Sequence, residues 1–247
     1  MKFTPSVTAF AVTAIAATAA TGAVVVAGPA GATPAQVAKA APYAKPGPYA
    51  AGVTTLSLDD RKVEVWYPAT KSSVQGKTRD SYYIRDWLPP GIQQLLGKVN
   101  PPFRTDAYRA VPAAKGAFPL IVFEHGFGGY RDQSTFLTTH LAQWGFVVAS
   151  PDFLERGLAA QLGGAPATPK PGLQVFDETV AAVRTASAAK RGPLSGRVKS
   201  GKLGITGHSA SVAGTIFDDV EDFCEVGNQV QDTFQLCTTT IDGYTEI

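Results

Sequence analysis

The sequence predicts an α/β fold built on a doubly wound, mostly parallel sheet that is incomplete at its C-terminal end. Three observations lead there. Short apolar runs alternate with helical patterns from residue 118 onward, giving strand, helix, strand, helix, strand. The strand-like runs Phe118–Glu124, Phe146–Ala149 and Leu203–Thr206 are apolar almost throughout, as strands covered on both faces must be. The intervening segments carry apolar residues at helical spacing instead.

Taken in order, the chain begins with Lys2 and a weakly apolar stretch from Val7 to Val26, then small residues at Ala30-Gly31-Ala32. This is the pattern of a secretory signal peptide over residues 1–32, with a secreted or extracytoplasmic product. Alanine and threonine make the stretch too weakly apolar for a stable membrane span, and no later segment is more apolar. Residues 33–50 are rich in Ala and Pro and read as a flexible lead-in, so the folded domain is expected over residues 51–247. Val53–Leu58 and Val63–Tyr67 alternate apolar and polar around Asp59-Asp60-Arg61, which predicts an antiparallel hairpin. A short helix is expected within Ser81–Leu96, with Tyr82, Tyr83 and Trp87 as packing residues.

After the strand at Phe118–Glu124, Phe136, Leu137, Leu141 and Trp144 set a helix over 130–144, stopped by Gly145. Residues 151–171 form a Gly/Pro-rich loop at the carboxyl end of the next strand, the rim where α/β proteins bind ligands. Val175, Phe176, Val180 and Val183 form the inward face of a helix over 173–190. A helix should follow Ser209 to about Asp219, and the β-branched run 234–241 reads as a further strand.

Composition excludes several functions. With 45% hydrophobic and 17% charged residues the 247-residue chain is globular rather than disordered. A net charge of +2 gives no reason to expect a nucleic-acid partner. The two cysteines, Cys224 and Cys237, have no histidine near them, so no metal and no cofactor are expected. In an oxidising compartment they could form a disulfide. Two buried thiols are the other reading. No pattern in the sequence sets an oligomeric state.

Two motifs carry chemistry. Gly207-His208-Ser209-Ala210-Ser211 follows a short strand and precedes a helical stretch. It has the form of a nucleophile elbow, where a serine sits on a sharp strand-to-helix turn and its neighbours must be small. Ser211 stands where a second glycine is usual. Upstream, the strand ending at Glu124 runs into His125-Gly126-Phe127-Gly128-Gly129, which resembles the oxyanion loop of lipases and esterases. In this order and spacing the two motifs resemble the α/β-hydrolases. The stretches "VEVWYPA", "PLIVFEHGFGGYRDQ" and "LAQWGFVVASPD" are similar to the bacterial relatives of platelet-activating-factor acetylhydrolase, and less closely to dienelactone hydrolases and cutinases.

The resemblance implies a secreted serine hydrolase acting on a small-molecule or lipid ester. Ser209 would be the nucleophile, and the amides of Phe127 and Ala210 would form the oxyanion hole. Asp242, after the last strand, occupies the place of the acid. A serine hydroxyl needs a histidine to take its proton. The three histidines, His125, His140 and His208, all precede Ser209, and only the 38 residues from 210 to 247 follow it. The reading is therefore of a truncated chain or a degenerate member, inactive if the chain is truly this short. Retention of both motifs favours truncation, with the histidine beyond Ile247. An apolar strand left near an open sheet edge would be an aggregation liability. A hydrolase-fold protein that binds without turnover, and an acyltransferase of the cell envelope, are the alternatives.

Overall fold

A computed structural model describes residues 43–164, 166, 168–209 and 234–237. The hairpin comes first. Strand β1 (Ala50–Ser57) pairs antiparallel with β2 (Lys62–Ala69), and Arg61 closes the turn with its carbonyl on Leu58 N at 2.9 Å. An excursion follows, holding two 3₁₀ turns (Lys71–Val74 and Ile84–Trp87), a short helix α1 (Pro90–Leu95), and the two-residue pair β3 (Ser81–Tyr82) and β4 (Phe103–Arg104). The chain returns through β5 (Ala107–Arg109), then β6 (Phe118–Glu124), helix α2 (Thr135–Gln143), β7 (Val147–Pro151), helix turn α3 (Leu158–Gln161), α4 (Gly172–Ala188), β8 (Val198–His208) and β9 (Phe234–Cys237).

Seven of these strands form one sheet in the order β5-β1-β2-β7-β6-β8-β9. The pairs β7–β6 and β6–β8 are parallel, and β2 runs antiparallel to β7. Each face has its own core. Val63, Val65, Tyr67, Leu120, Val122, Val147 and Ala149 pack under Phe176, Val180 and Val183 of α4. On the other face Ile121, Phe123 and Val148 meet Leu137 and Leu141 of α2, and Trp66 meets Ala142. The period-2 alternation within β2 and β6 divides their apolar side chains between the two faces, so these strands are apolar at nearly every position. The sheet is doubly wound, as expected, and mixed, with a parallel centre at β7-β6-β8 and antiparallel pairs at β1–β2, β2–β7 and β8–β9.

Three expectations are corrected. The α2 helix starts at Thr135, because residues 130–134 turn back through Gln133 N–H to the Tyr130 carbonyl (2.9 Å) instead of continuing the helical ladder. Phe136, one of the four apolar positions that set the helix, is 64% exposed; the buried positions are Thr138, Thr139 and Ala142, small enough to bring the helix close to β1 and β2. The open edge expected beside β8 is covered in part: of the expected strand 234–241 the described residues 234–237 pair antiparallel with Ile205–His208. From Tyr43 on, the lead-in packs on α2: Tyr43 stacks edge-on with Trp144 at 4.8 Å, and Tyr49 N–H bonds the Gln143 carbonyl at 3.1 Å. The expected signal peptide, Cys224, Asp242 and the helix after the elbow lie outside the described residues. Among the described residues no helix is long and apolar enough to cross a membrane.

Candidate active site

Parallel pairing of β6 with β8 sets Phe123 opposite Thr206 and Glu124 opposite Gly207. The two strands therefore end within one residue of each other, and His125-Gly126 after β6 lies beside His208, the last residue of β8, and Ser209 after it. This is how two motifs eighty residues apart in sequence come to share one rim.

Ser209 is exposed and has φ +60°. A left-handed backbone at a non-glycine residue is uncommon and costs of the order of 1 kcal/mol or more, so the surrounding structure must impose it. A sharp turn directly after an eleven-residue strand does so here. The loop from β6 packs against this turn with no space for a side chain. A methyl group on Gly126 would lie 2.9 Å from His208 Nδ1, 3.0 Å from the His208 carbonyl oxygen and 3.3 Å from Ser209 Cβ. Gly128 takes φ +70° to continue the turn.

The amides of this loop have defined destinations. Gly129 N–H donates to the Gly126 carbonyl at 3.0 Å, and Gly128 N–H to the Arg156 carbonyl at 2.7 Å. Phe127 N–H donates to no group among the described residues, and its side chain is 66% exposed. Ala210, the other expected donor, lies outside the described residues.

His125 is fully buried under the loop. Phe153 N–H donates to its Nε2 at 2.9 Å, which leaves the proton on Nδ1 to donate to the Gly126 carbonyl at 2.9 Å. Burial holds its pKa down to about 4, against the opposing effect of the Gly126 carbonyl. It is a neutral tie between two loops. His140 Nε2 bonds the Tyr43 carbonyl at 2.8 Å, on α2. His208 Nδ1 stands 3.4 Å from Gln133 Nε2, against the oxyanion-type loop. All three histidines thus have structural neighbours.

Around this rim lie charged residues that the motifs did not reveal. Arg156 binds Glu124 Oε2 at 3.0 Å and sits over the Phe153 ring at 3.8 Å. Arg131 binds Asp152 at 2.6 Å and Glu64 at 3.4 Å, with its guanidinium 4.6 Å from the Trp87 ring centre. Trp87 Nε1 completes the set by donating to Asp152 at 2.9 Å. Burial first, then the charge of Glu64, pushes the Asp132 carboxyl well above the usual range. One signal for this layer was present in the sequence: Glu124 ends an otherwise apolar strand, and a buried carboxylate needs a partner.

The model of the family platelet-activating factor acetylhydrolase, isoform II, matches residues 53–162. Among solved structures the chain is similar to a ferulic acid esterase from Streptomyces cinnamoneus at 22% identity and TM-score 0.42, covering 74% of this chain and 58% of that one. An acylaminoacyl peptidase in complex with Z-Gly-Gly-Phe-chloromethyl ketone is 13% identical at TM-score 0.36, over 66% of this chain and 20% of its own. An acetyl xylan esterase from Paenibacillus sp. R4 is 14% identical at TM-score 0.25, over 66% and 47%. The chain thus spans less than two thirds of each of these proteins. The family match runs from β1 through α3, and the antiparallel second strand and parallel centre of the sheet resemble an incomplete α/β-hydrolase fold.

Proposed function

We propose that the protein is an exported serine hydrolase that cleaves carboxylic esters of lipids or small molecules. Ser209 is the nucleophile in this reading, and the amides of Phe127 and Ala210 receive the oxyanion of the tetrahedral intermediate. The observation that carries it is the contact of the two motifs: an exposed serine at φ +60° beside Gly126, whose neighbour Phe127 keeps its N–H uncommitted among the described residues. The family match over residues 53–162 supports the same chemistry. Asp242 remains the proposed acid, and export rests on the pattern at Lys2, Val7–Val26 and Ala30-Gly31-Ala32. The base is left to a group that the described residues do not bring to Ser209.

A fluorophosphonate probe tests the reading directly. It should label Ser209, identified by peptide mapping, and Ser209→Ala should remove the label. Label that survives the substitution sinks the assignment. The partners found for all three histidines favour a second reading, a hydrolase-fold protein that binds its ligand without turnover. Saturable binding of p-nitrophenyl acetate or its phosphonate analogue, with neither labelling nor hydrolysis, would select it.

A further inference from the structure

Three contacts fix the turn that carries Phe127, and all three end on one residue of the loop after β7. The Arg156 carbonyl accepts Gly128 N–H at 2.7 Å. Its Nε donates to the His125 carbonyl at 3.4 Å, and its Nη2 donates to Glu124 Oε2 at 3.0 Å. Its guanidinium is stacked 3.8 Å from the Phe153 ring centre, and Phe153 N–H in turn holds His125 Nε2. The residues it grips, Glu124, His125 and Gly128, bracket Gly126 and Phe127 on both sides. Only Arg carries several donors in a rigid plane, so it alone can reach a carboxylate and a carbonyl while lying flat on a ring.

We infer that Arg156 is a positioning residue for the oxyanion donor: it clamps the Glu124–Gly128 turn so that the Phe127 amide is preset toward Ser209. The inference rests on the serine-hydrolase reading for its catalytic consequence, and on geometry alone for the clamp. Preset donors matter because an amide that must reorient during the reaction loses most of its effect. The clamp joins the ends of β6 and β7, so the loop after β7 is a mechanical part of the site rather than only a wall of it.

The test uses the full chain and three variants. Arg156→Met keeps the stem on Phe153 and removes the fork, but leaves Glu124 without this cation and will lose stability. Arg156→Met combined with Glu124→Gln removes the charge as well, so the double variant should regain most of the melting temperature lost by the single one. Arg156→Lys keeps the charge without the plane. In the double variant, Gly128 amide exchange should rise about 10-fold or more as the loop loosens. Its kcat for p-nitrophenyl acetate should fall about 10- to 100-fold with KM within about twofold, since misplacing a donor acts on the transition state. Arg156→Lys should not restore kcat.

A role in stability alone predicts the opposite: kcat recovers together with melting temperature. Either that recovery or an unchanged Gly128 exchange rate in the double variant overturns the inference. A wild type without Ser209-dependent hydrolysis overturns the esterase reading instead. Gly128 exchange then decides the clamp by itself.

Discussion

At the scale of a residue, His125 shows how a buried ring can set the direction of a backbone amide some distance away. Its Nε2 is occupied by Phe153 N–H, so only the Nδ1–H tautomer fits, and that proton goes to the Gly126 carbonyl. The same carbonyl takes Gly129 N–H. The Gly126 carbonyl and the Phe127 N–H belong to one planar trans peptide, so holding the first inward aims the second outward. Protonation would destroy this arrangement, because a charged imidazole cannot accept from Phe153. Burial lowers the folded pKa to about 4 from the ordinary 6.5. The unfolded chain therefore takes up a proton at higher pH than the native one, and stability falls as pH drops from about 6.5 to about 4. A shift of this size corresponds to about 3 kcal/mol. Urea unfolding of the wild type and of His125→Gln at pH 7, 5.5 and 4 measures it. The variant should be less stable at pH 7 but should show a shallower decline toward pH 4. Equal declines would show that His125 is not buried neutral.

At the scale of an element, the close approach of the β6 loop to the β8 turn depends on Gly126. A Gly126→Ala methyl group meets the His208 carbonyl and Ser209 Cβ at 3.0 and 3.3 Å, both tighter than comfortable contact, and His208 Nδ1 at 2.9 Å. Neither a strand end nor a strained turn gives way cheaply, so the loop should be pushed off the elbow. The expected result is loss of stability by about 1–3 kcal/mol and loss of Ser209 labelling by about 100-fold. Gly91→Ala is the control, because a methyl group there meets nothing within 4 Å. Full labelling of Gly126→Ala would mean that the two motifs are not in contact. Elements were unequally legible in the sequence. In α4 the inward face was read correctly, because Val175, Phe176, Val180 and Val183 are all buried and a long apolar stripe has one interpretation. In α2 the apolar period was only partly informative. Leu137 and Leu141 do pack on the sheet, but the fully buried positions are Thr138, Thr139 and Ala142, and Phe136 is exposed. Close packing selects for small size there, which an apolar period does not register.

At the scale of the whole molecule, the sheet order decides what the sequence could and could not reveal. Ser209 and Phe127 could be nominated as candidates because each sits in a contiguous motif with a backbone reason for its neighbours. Arg156 with Glu124, and Arg131 with Asp152 and Glu64, were missed because the members of each set come from different strand ends. Only the order β2-β7-β6 makes them neighbours. The same order predicts where the sheet is strong. Strands β6 and β7 have a partner on both sides and a core on both faces, whereas β5 is a three-residue edge. Backbone amides of Leu120–Phe123 and Val147–Ala149 should open only with global unfolding, and those of Ala107–Arg109 should exchange faster by about 100-fold or more. Strand β8 is the sharper case. Its β6 side is paired at Leu203–Gly207, and on its other side the pairing among the described residues runs from Ile205 to His208. Hydrogen exchange read residue by residue should therefore split β8 in two. Outward amides within Ile205–His208 should be protected and those within Lys199–Lys202 should exchange quickly. Uniformly fast exchange along that side would remove β9 from the sheet and expose an apolar strand edge beside the elbow, the arrangement from which edge-to-edge association proceeds. Uniform protection would require a further strand against Lys199–Lys202.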